Sequence, residues 1–351
     1  MHRTLARAAA TLRRCTPVVA VAVLLSAALA VAAPTAPTLQ LKDNLYGAKF
    51  IDAKQGWVVG AFGTIARTAD GGATWQAQPS KTTQQLYDVD FVDAQHGWIV
   101  GRQGLILRTT DGGATWDQQT SGTDQHLFGV DFVDAQHGTA VGDFGAIVVT
   151  KDGGQHWEDH KLPEDVILYD VSMMDQTRGW IAGEFGSVLA TTDGGVTWTK
   201  QETGIDKTLF GIFFADAQHG WAVGIDALIL HTADGGQTWK VQNGSTEIRE
   251  LEQVGFGQAY DNPSLYAISI NGDTGVAVGE IGAIYLSGDG GQTWTRQDSR
   301  EKESGPKWFR AVTLAPGKNG AIVGAAGVRV LVVDGRVQQS DGGPGAAEAV
   351  H

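Results

Sequence analysis

Asp88, Asp90 and Asp131 stand in two similar segments, LYDVDF (86–91) and LFGVDF (127–132). Two carboxylates flanking a sugar are what glycosidic hydrolysis requires, so these three could supply the catalytic pair if the chain is a hydrolase. The segment HWEDH (156–160) sets His156, Glu158 and His160 at alternate positions, on one face of a strand. Donors of this kind can hold zinc, but the segment is expected to be a surface cluster without metal. His96, His137 and His219 recur in AQHG turns, one to a repeat, too dispersed for one metal site. No metal or cofactor is expected.

Such groups act only where neighbouring elements bring them together, and the chain is written as a repeat. RTADGGATW (67–75) returns as RTTDGGATW (108–116), TKDGGQHW (150–157), TTDGGVTW (191–198), HTADGGQTW (231–239) and LSGDGGQTW (286–294). Its aspartates, Asp70, Asp111, Asp152, Asp193, Asp234 and Asp289, keep a period of 41 until the last interval, which is 55. An eroded seventh copy, VVDGRVQ (332–338), keeps Asp334 and Gly335. Seven first-strand segments begin near 45, 86, 127, 168, 209, 265 and 309. In LYDVDF, Tyr87, Val89 and Phe91 are read as alternating with Asp88 and Asp90, the period of a strand. A glycine-bounded second strand follows (GWVVG at 56–60, GWIVG at 97–101), then a third that enters the Asp turn and a fourth that begins at its Trp. Four antiparallel strands every 41 residues predict an all-β, seven-bladed propeller over 38–340. Either TLQLK (38–42) or RVQQS (336–340) can supply the outer strand of blade seven.

The turn Ser/Thr-x-Asp-x-Gly-x-x-Trp, as in Thr68, Asp70, Gly72 and Trp75, is the Asp box or BNR repeat of sialidases and other propellers. The repeat region as a whole resembles the photosystem II stability and assembly factor family, exported seven-bladed propellers with GW(V/I)VG strands and TxDGGxTW turns. That resemblance implies a non-enzymatic scaffold that holds an assembly intermediate of a membrane complex, with an arginine-rich patch associated with partner binding. The face that carries the second-to-third turns has Arg102 and few other arginines. Fold alone does not carry function, and the alternatives are a glycoside hydrolase or a carbohydrate-binding propeller. Arg67, Arg108 and Arg310 do not make a sialidase arginine triad, since Arg67 and Arg108 adjoin Asp boxes on the opposite face. Glycosidases that use a carboxylate pair in this superfamily generally form the cleft between two tandem propellers, whereas one is written here.

The Asp boxes need no ligand to explain them. An Asp carboxylate accepts N–H groups across a tight turn, the glycines take positive φ, and the Trp covers the turn. Ten of the eleven tryptophans sit in repeat positions and are expected in blade cores; Trp308 is outside the pattern. Strand order puts the Asp boxes and the first-to-second turns on one face, and the second-to-third turns with the blade connections on the other. This second face carries Phe62, Arg102, Asp143, Phe144, Glu184, Phe185, Asp226 and Glu280, as well as the two departures from the period, 243–264 and 299–308. With Trp308 these residues form the candidate partner-binding surface.

Four arginines (Arg3, Arg7, Arg13, Arg14) precede an apolar run at 17–33 that ends in small residues, so 1–33 is predicted to be a signal peptide cleaved after Ala33, with Ala30 the alternative position. The sole cysteine, Cys15, would leave with it. Formal net charge is −13, and loss of the four arginines leaves −17, a poor match to a nucleic-acid backbone. The mature protein is expected to be a periplasmic or secreted monomer, or lumenal in thylakoids if the host is photosynthetic, with a protein partner and a disordered tail over 341–351.

Overall fold

The computed structural model describes residues 41–246, 262–298, 308–327 and 329–339. They form a seven-bladed β-propeller in which every blade is a four-stranded antiparallel sheet whose strands follow chain order. The innermost strands are Leu45–Phe50, Leu86–Phe91, Leu127–Phe132, Leu168–Met173, Leu209–Phe214, Leu265–Asn271 and Phe309–Ala315. The outer strand of blade seven is Arg336–Gln339, so TLQLK does not close the sheet: the described part, Leu41 and Lys42, is outside any strand. The ring closes by packing instead, with the innermost strands of blades one and seven side by side. Two hydrogen bonds bridge that seam, Phe50 N–H to Thr313 Oγ1 (3.2 Å) and Ala326 N–H to Asn44 Oδ1 (2.9 Å). The predicted leader 1–33 and tail 341–351 lie outside the described residues.

Each inner strand carries a β-bulge at its second residue; in blade two, Leu86 pairs with Gly101 and Asp88 with Val100, leaving Tyr87 between them. The simple alternation read from LYDVDF is thereby corrected. Leu86, Val89 and Phe91 are buried between blades, while Tyr87 is released to join the equivalent rings of its neighbours. Glycines bound the second strand because there is no room there: a Cβ on Gly97 would strike the Phe91 ring, and one on Gly101 the Gln85 carbonyl.

The core lies between blades. Trp57, Val59 and Ile65 of blade one pack with Leu86, Val89, Phe91, Ile99 and Trp116 of blade two, and the same sharing repeats around the ring. Trp57 stacks on Phe91, Trp98 on Phe132 and Trp180 on Phe214, at 3.5–3.6 Å between ring centroids. Each of these indoles also donates to a glycine carbonyl in the next blade's Asp box: Trp57 to Gly112 (3.2 Å), Trp98 to Gly153 (3.0 Å) and Trp180 to Gly235 (3.0 Å). Where the preceding blade has no such tryptophan, as before blades one and four, the box's own Trp75 or Trp198 donates to Gly72 or Gly195. Where it has one, as before blades two, three and five, the box indoles of Trp116, Trp157 and Trp239 are left without an acceptor. The two indoles use different carbonyls of the same turn, the one from the preceding blade that of the first glycine and the box's own that of the second.

Inside the box, Asp193 accepts the Thr197 hydroxyl (2.6 Å), the Thr197 N–H (2.9 Å) and the Thr191 hydroxyl (2.8 Å). These bonds, led by the Thr197 hydroxyl, pull its pKa down to about 2. The first glycine of every box donates its N–H to the first-to-second turn of the same blade, Gly71 to Lys54 and so on to Gly335 and Lys318 in the eroded copy. Asp boxes and first-to-second turns thus share one face and are hydrogen-bonded to each other.

Candidate functional site

The opposite face is built from seven short turns between the second and third strands. In blade one, Thr64 N–H donates to the Ala61 carbonyl (3.0 Å) with Phe62 at φ 56 and Gly63 at φ 73, a type I′ arrangement. The same corner is held by Gln103, Phe144, Phe185, Asp226, Ile281 and Ala326, all at positive φ. Such a corner suits Asn or Gly; a bulky side chain there stores of order 1–2 kcal/mol of strain. Yet three of the seven are phenylalanines, and they project to solvent, with Phe62 74%, Phe144 48% and Phe185 61% exposed. Nothing in the turn calls for them.

The acidic residues of this face are partly engaged. Glu184 accepts the Ile167 N–H (3.0 Å), Glu280 accepts the Ser264 N–H (3.1 Å) and the Tyr266 hydroxyl (2.8 Å), and Asp226 pairs with the buried Lys207 (2.6 Å). Asp143 is half-buried beside Phe144, and burial raises its pKa against the pull of His126. Arg102 is exposed near Tyr87. Trp308 stacks parallel to Tyr46 at 6.0 Å. Residues 247–261 and 299–307, most of the two insertions, lie outside the described residues.

The bulges create a feature that the linear pattern concealed. Tyr46, Tyr87, Phe128, Tyr169, Phe210 and Tyr266 form a collar around the central channel, successive rings being 4.9–6.1 Å apart. Arg310 occupies the seventh position, its guanidinium 4.8 Å from the Tyr266 ring centroid. The second letter of each first-strand segment was the available signal, but a residue facing a shared axis looks the same in sequence as one facing its own sheet.

Deeper in the channel lie the carboxylates considered as a catalytic pair. Asp88 accepts the N–H groups of Val89 (2.8 Å) and, across the blade gap, Val130 (3.0 Å); Asp170 does the same with Val171 and Ile212 (both 2.9 Å). Asp90 accepts the Phe132 N–H (2.8 Å) and pairs with Lys49 (2.6 Å), and Asp131 accepts the Met173 N–H (2.6 Å). They are clasps between blades. Burial, and then Asp170, raise the Asp88 pKa to about 8; burial raises Asp170 to about 6 against its two N–H donors and Arg310. The HWEDH residues do not converge either: His156 turns to Asp152 (2.6 Å), while His160 is 3.5 Å from Glu158. Among the described residues no group of three or more acidic, histidine or cysteine side chains is placed to hold a metal ion.

A family model for the photosynthesis system II assembly factor YCF48 matches residues 76–126, 120–202 and 197–319. Among solved structures, the chain is similar to one described as YCF48 bound to D1 peptide, with TM-score 0.65 and 22% identity over 84% of this chain and 93% of that one. It is also similar to YCF48 from Cyanidioschyzon merolae (TM-score 0.63, 21% identity, 85% of this chain and 97% of that one). A GH74 xyloglucanase from Xanthomonas campestris has TM-score 0.64 at 14% identity, with 83% of this chain covering 52% of the enzyme. At these identities the structural likenesses are likenesses of fold. No curated protein matches the chain in sequence.

Proposed function

Because the chain belongs to the family of the photosynthesis system II assembly factor YCF48, we propose that it is an exported, non-catalytic propeller that holds a protein of a membrane complex during assembly. The observation that carries this reading is the set of exposed phenylalanines at Phe62, Phe144 and Phe185, fixed at one strained corner on one face. Strain retained without a structural need is a reason to look for function, and exposed aromatics on rigid turns suit protein contact. The peptide on one solved YCF48 supports a polypeptide partner. The arginine-led segment followed by an apolar run at 17–33 supports export to the periplasm or outside, or to the thylakoid lumen in a photosynthetic host.

Replacing all three phenylalanines by asparagine, which tolerates the left-handed corner, is expected to leave the fold intact and to raise its stability, by up to about 1 kcal/mol per corner once the lost ring contacts are set against the relieved strain. Capture of the partner from detergent-solubilised envelope membranes should fall at least tenfold. Undiminished capture would refute this surface. As for hydrolysis, Asp88, Asp90 and Asp131 each hold a neighbouring blade's N–H. Incubation with aryl glycosides and xyloglucan is expected to release nothing above the buffer control, and sustained turnover would restore the hydrolase reading.

A further inference from the structure

We propose that the mouth of the central channel binds a carboxylate carried on an extended polypeptide segment, gripped by Arg310 within the collar of six aromatic rings. The inference rests on the protein-binding reading above and adds a second, axial site to it.

Arg310 is the reason. Its side chain is largely buried at the collar, where burial pulls the guanidinium pKa below its ordinary value. Among the described residues it makes the stacking contact with Tyr266 and neither an ion pair nor a hydrogen bond. A guanidinium carries five N–H donors, and partial burial strips it of water without supplying a protein acceptor in its place. The carboxylates near enough to influence it, Asp170 and Asp88, lie beyond ion-pair distance. Neither can swing over, because each has both oxygens on backbone N–H groups of two strands. Glu280 is likewise committed to Tyr266 and Ser264. The donors of Arg310 therefore await an acceptor from outside the described fold, and a planar carboxylate matches the guanidinium fork.

The collar decides what carries that carboxylate. Its rings are half-buried and contiguous, and Trp308 extends them by stacking on Tyr46. Such walls reward apolar neighbours on either side of the acidic group. A chain of net charge −13 repels a free small anion at long range. Affinity must come from the apolar flanks, which a polypeptide segment has and a small acid lacks.

The test is an array of acetylated, amidated pentapeptides with central Glu and varied apolar flanks, each paired with its Gln twin, titrated calorimetrically against the full chain. The tightest binders are expected among the Glu members, at least tenfold tighter than their twins, with sodium acetate failing to displace them at equal concentration. In Arg310→Gln the preference for Glu should vanish, and in Arg310→Lys it should persist in part. Absence of any binder, equal binding of twins, displacement by acetate, or a Glu preference that survives in folded Arg310→Gln would each overturn the proposal. The wild-type comparison of twins stands even if a variant fails to fold. If Arg310→Gln and the wild type capture the envelope partner equally and show no Glu preference, the axial site falls while the phenylalanine face stands; the converse loss would single out the face.

Discussion

Replacing Trp98 by alanine is expected to destabilise the propeller by about 4 kcal/mol, the range for deleting a buried tryptophan. Trp98 is fully buried, its face lies 3.5 Å from the Phe132 ring of the next blade at 6° between planes, and its indole N–H reaches Gly153 O at 3.0 Å. Phe132 in turn meets the edge of Trp157 at 5.8 Å. Alanine would leave a cavity at the seam between blades two and three, where two sheets cannot move together without disturbing their outer neighbours. Phenylalanine should cost far less, about 1 kcal/mol for the lost hydrogen bond. Trp157 has no acceptor in the wild type, whereas Trp75 and Trp198, whose preceding blades lack a second-strand tryptophan, donate to the second glycine of their own boxes. Urea midpoints for Trp98→Ala and Trp98→Phe, with m unchanged, measure the difference. A loss in Trp98→Ala below about 1 kcal/mol would mean that the seams do not carry the stability assigned to them.

Lys49→Met is expected to cost about 2 kcal/mol at pH 7 and much less at pH 4.5. Lys49 pairs with Asp90 at 2.6 Å; Asp90 is buried, while the lysine keeps about a third of its side chain exposed, so the 3–5 kcal/mol typical of breaking a fully buried pair is reduced. Four carboxyls face this part of the channel, Asp88, Asp90, Asp131 and Asp170, against Lys49 and Arg310. Burial depresses the Lys49 pKa, but Asp90, Asp131 and Asp88 outweigh it and raise the net value. The lysine therefore keeps its charge until strongly alkaline pH, and between pH 4 and 7 its contribution follows the ionisation of the carboxyls it faces. Asp131 is already raised by burial and by Asp90, with Lys49 opposing. Without the lysine, the folded-state pKa of Asp131 moves further above its ordinary value of 3.8. The penalty is then smallest at acid pH, where the folded-state carboxyl is protonated with or without the lysine, and grows as pH rises to 7. Adding Asp90→Asn should recover most of the loss in a double-mutant cycle. A deficit that is equal at pH 4.5 and pH 7 would show that Lys49 acts by packing alone.

The fold was largely legible in the amino-acid order because its causes are local. A turn of Thr, Asp and two glycines closes on itself through Asp193 and its counterparts, whatever surrounds it, and the spacing of those turns numbers the blades. The strands between are marked by glycines whose Cβ would strike the preceding strand or its approach. The phenylalanines at 62, 144 and 185 could also be placed on the correct face from strand order, but not their exposure or positive φ.

What only the tertiary structure decided involves residues that meet through the ring. Tyr46 meets Trp308 across the closing seam, and Arg310 takes the seventh place in a collar whose other members come from six separate strands. A bulge of one residue in each inner strand turns Tyr87 and its equivalents to the axis; a period-two reading assigns them to the sheet, because one extra residue inverts which face a side chain occupies. The channel carboxylates looked free as letters, yet became clasps once the next blade's backbone arrived 42 residues later. The sequence alone determined the turns, the period and the number of blades, since each depends on bonds within a few residues. Closure of the ring decided the collar, the unpaired Arg310 and the tryptophan bonds from blade to blade, because those depend on side chains of different blades sharing one axis or one seam.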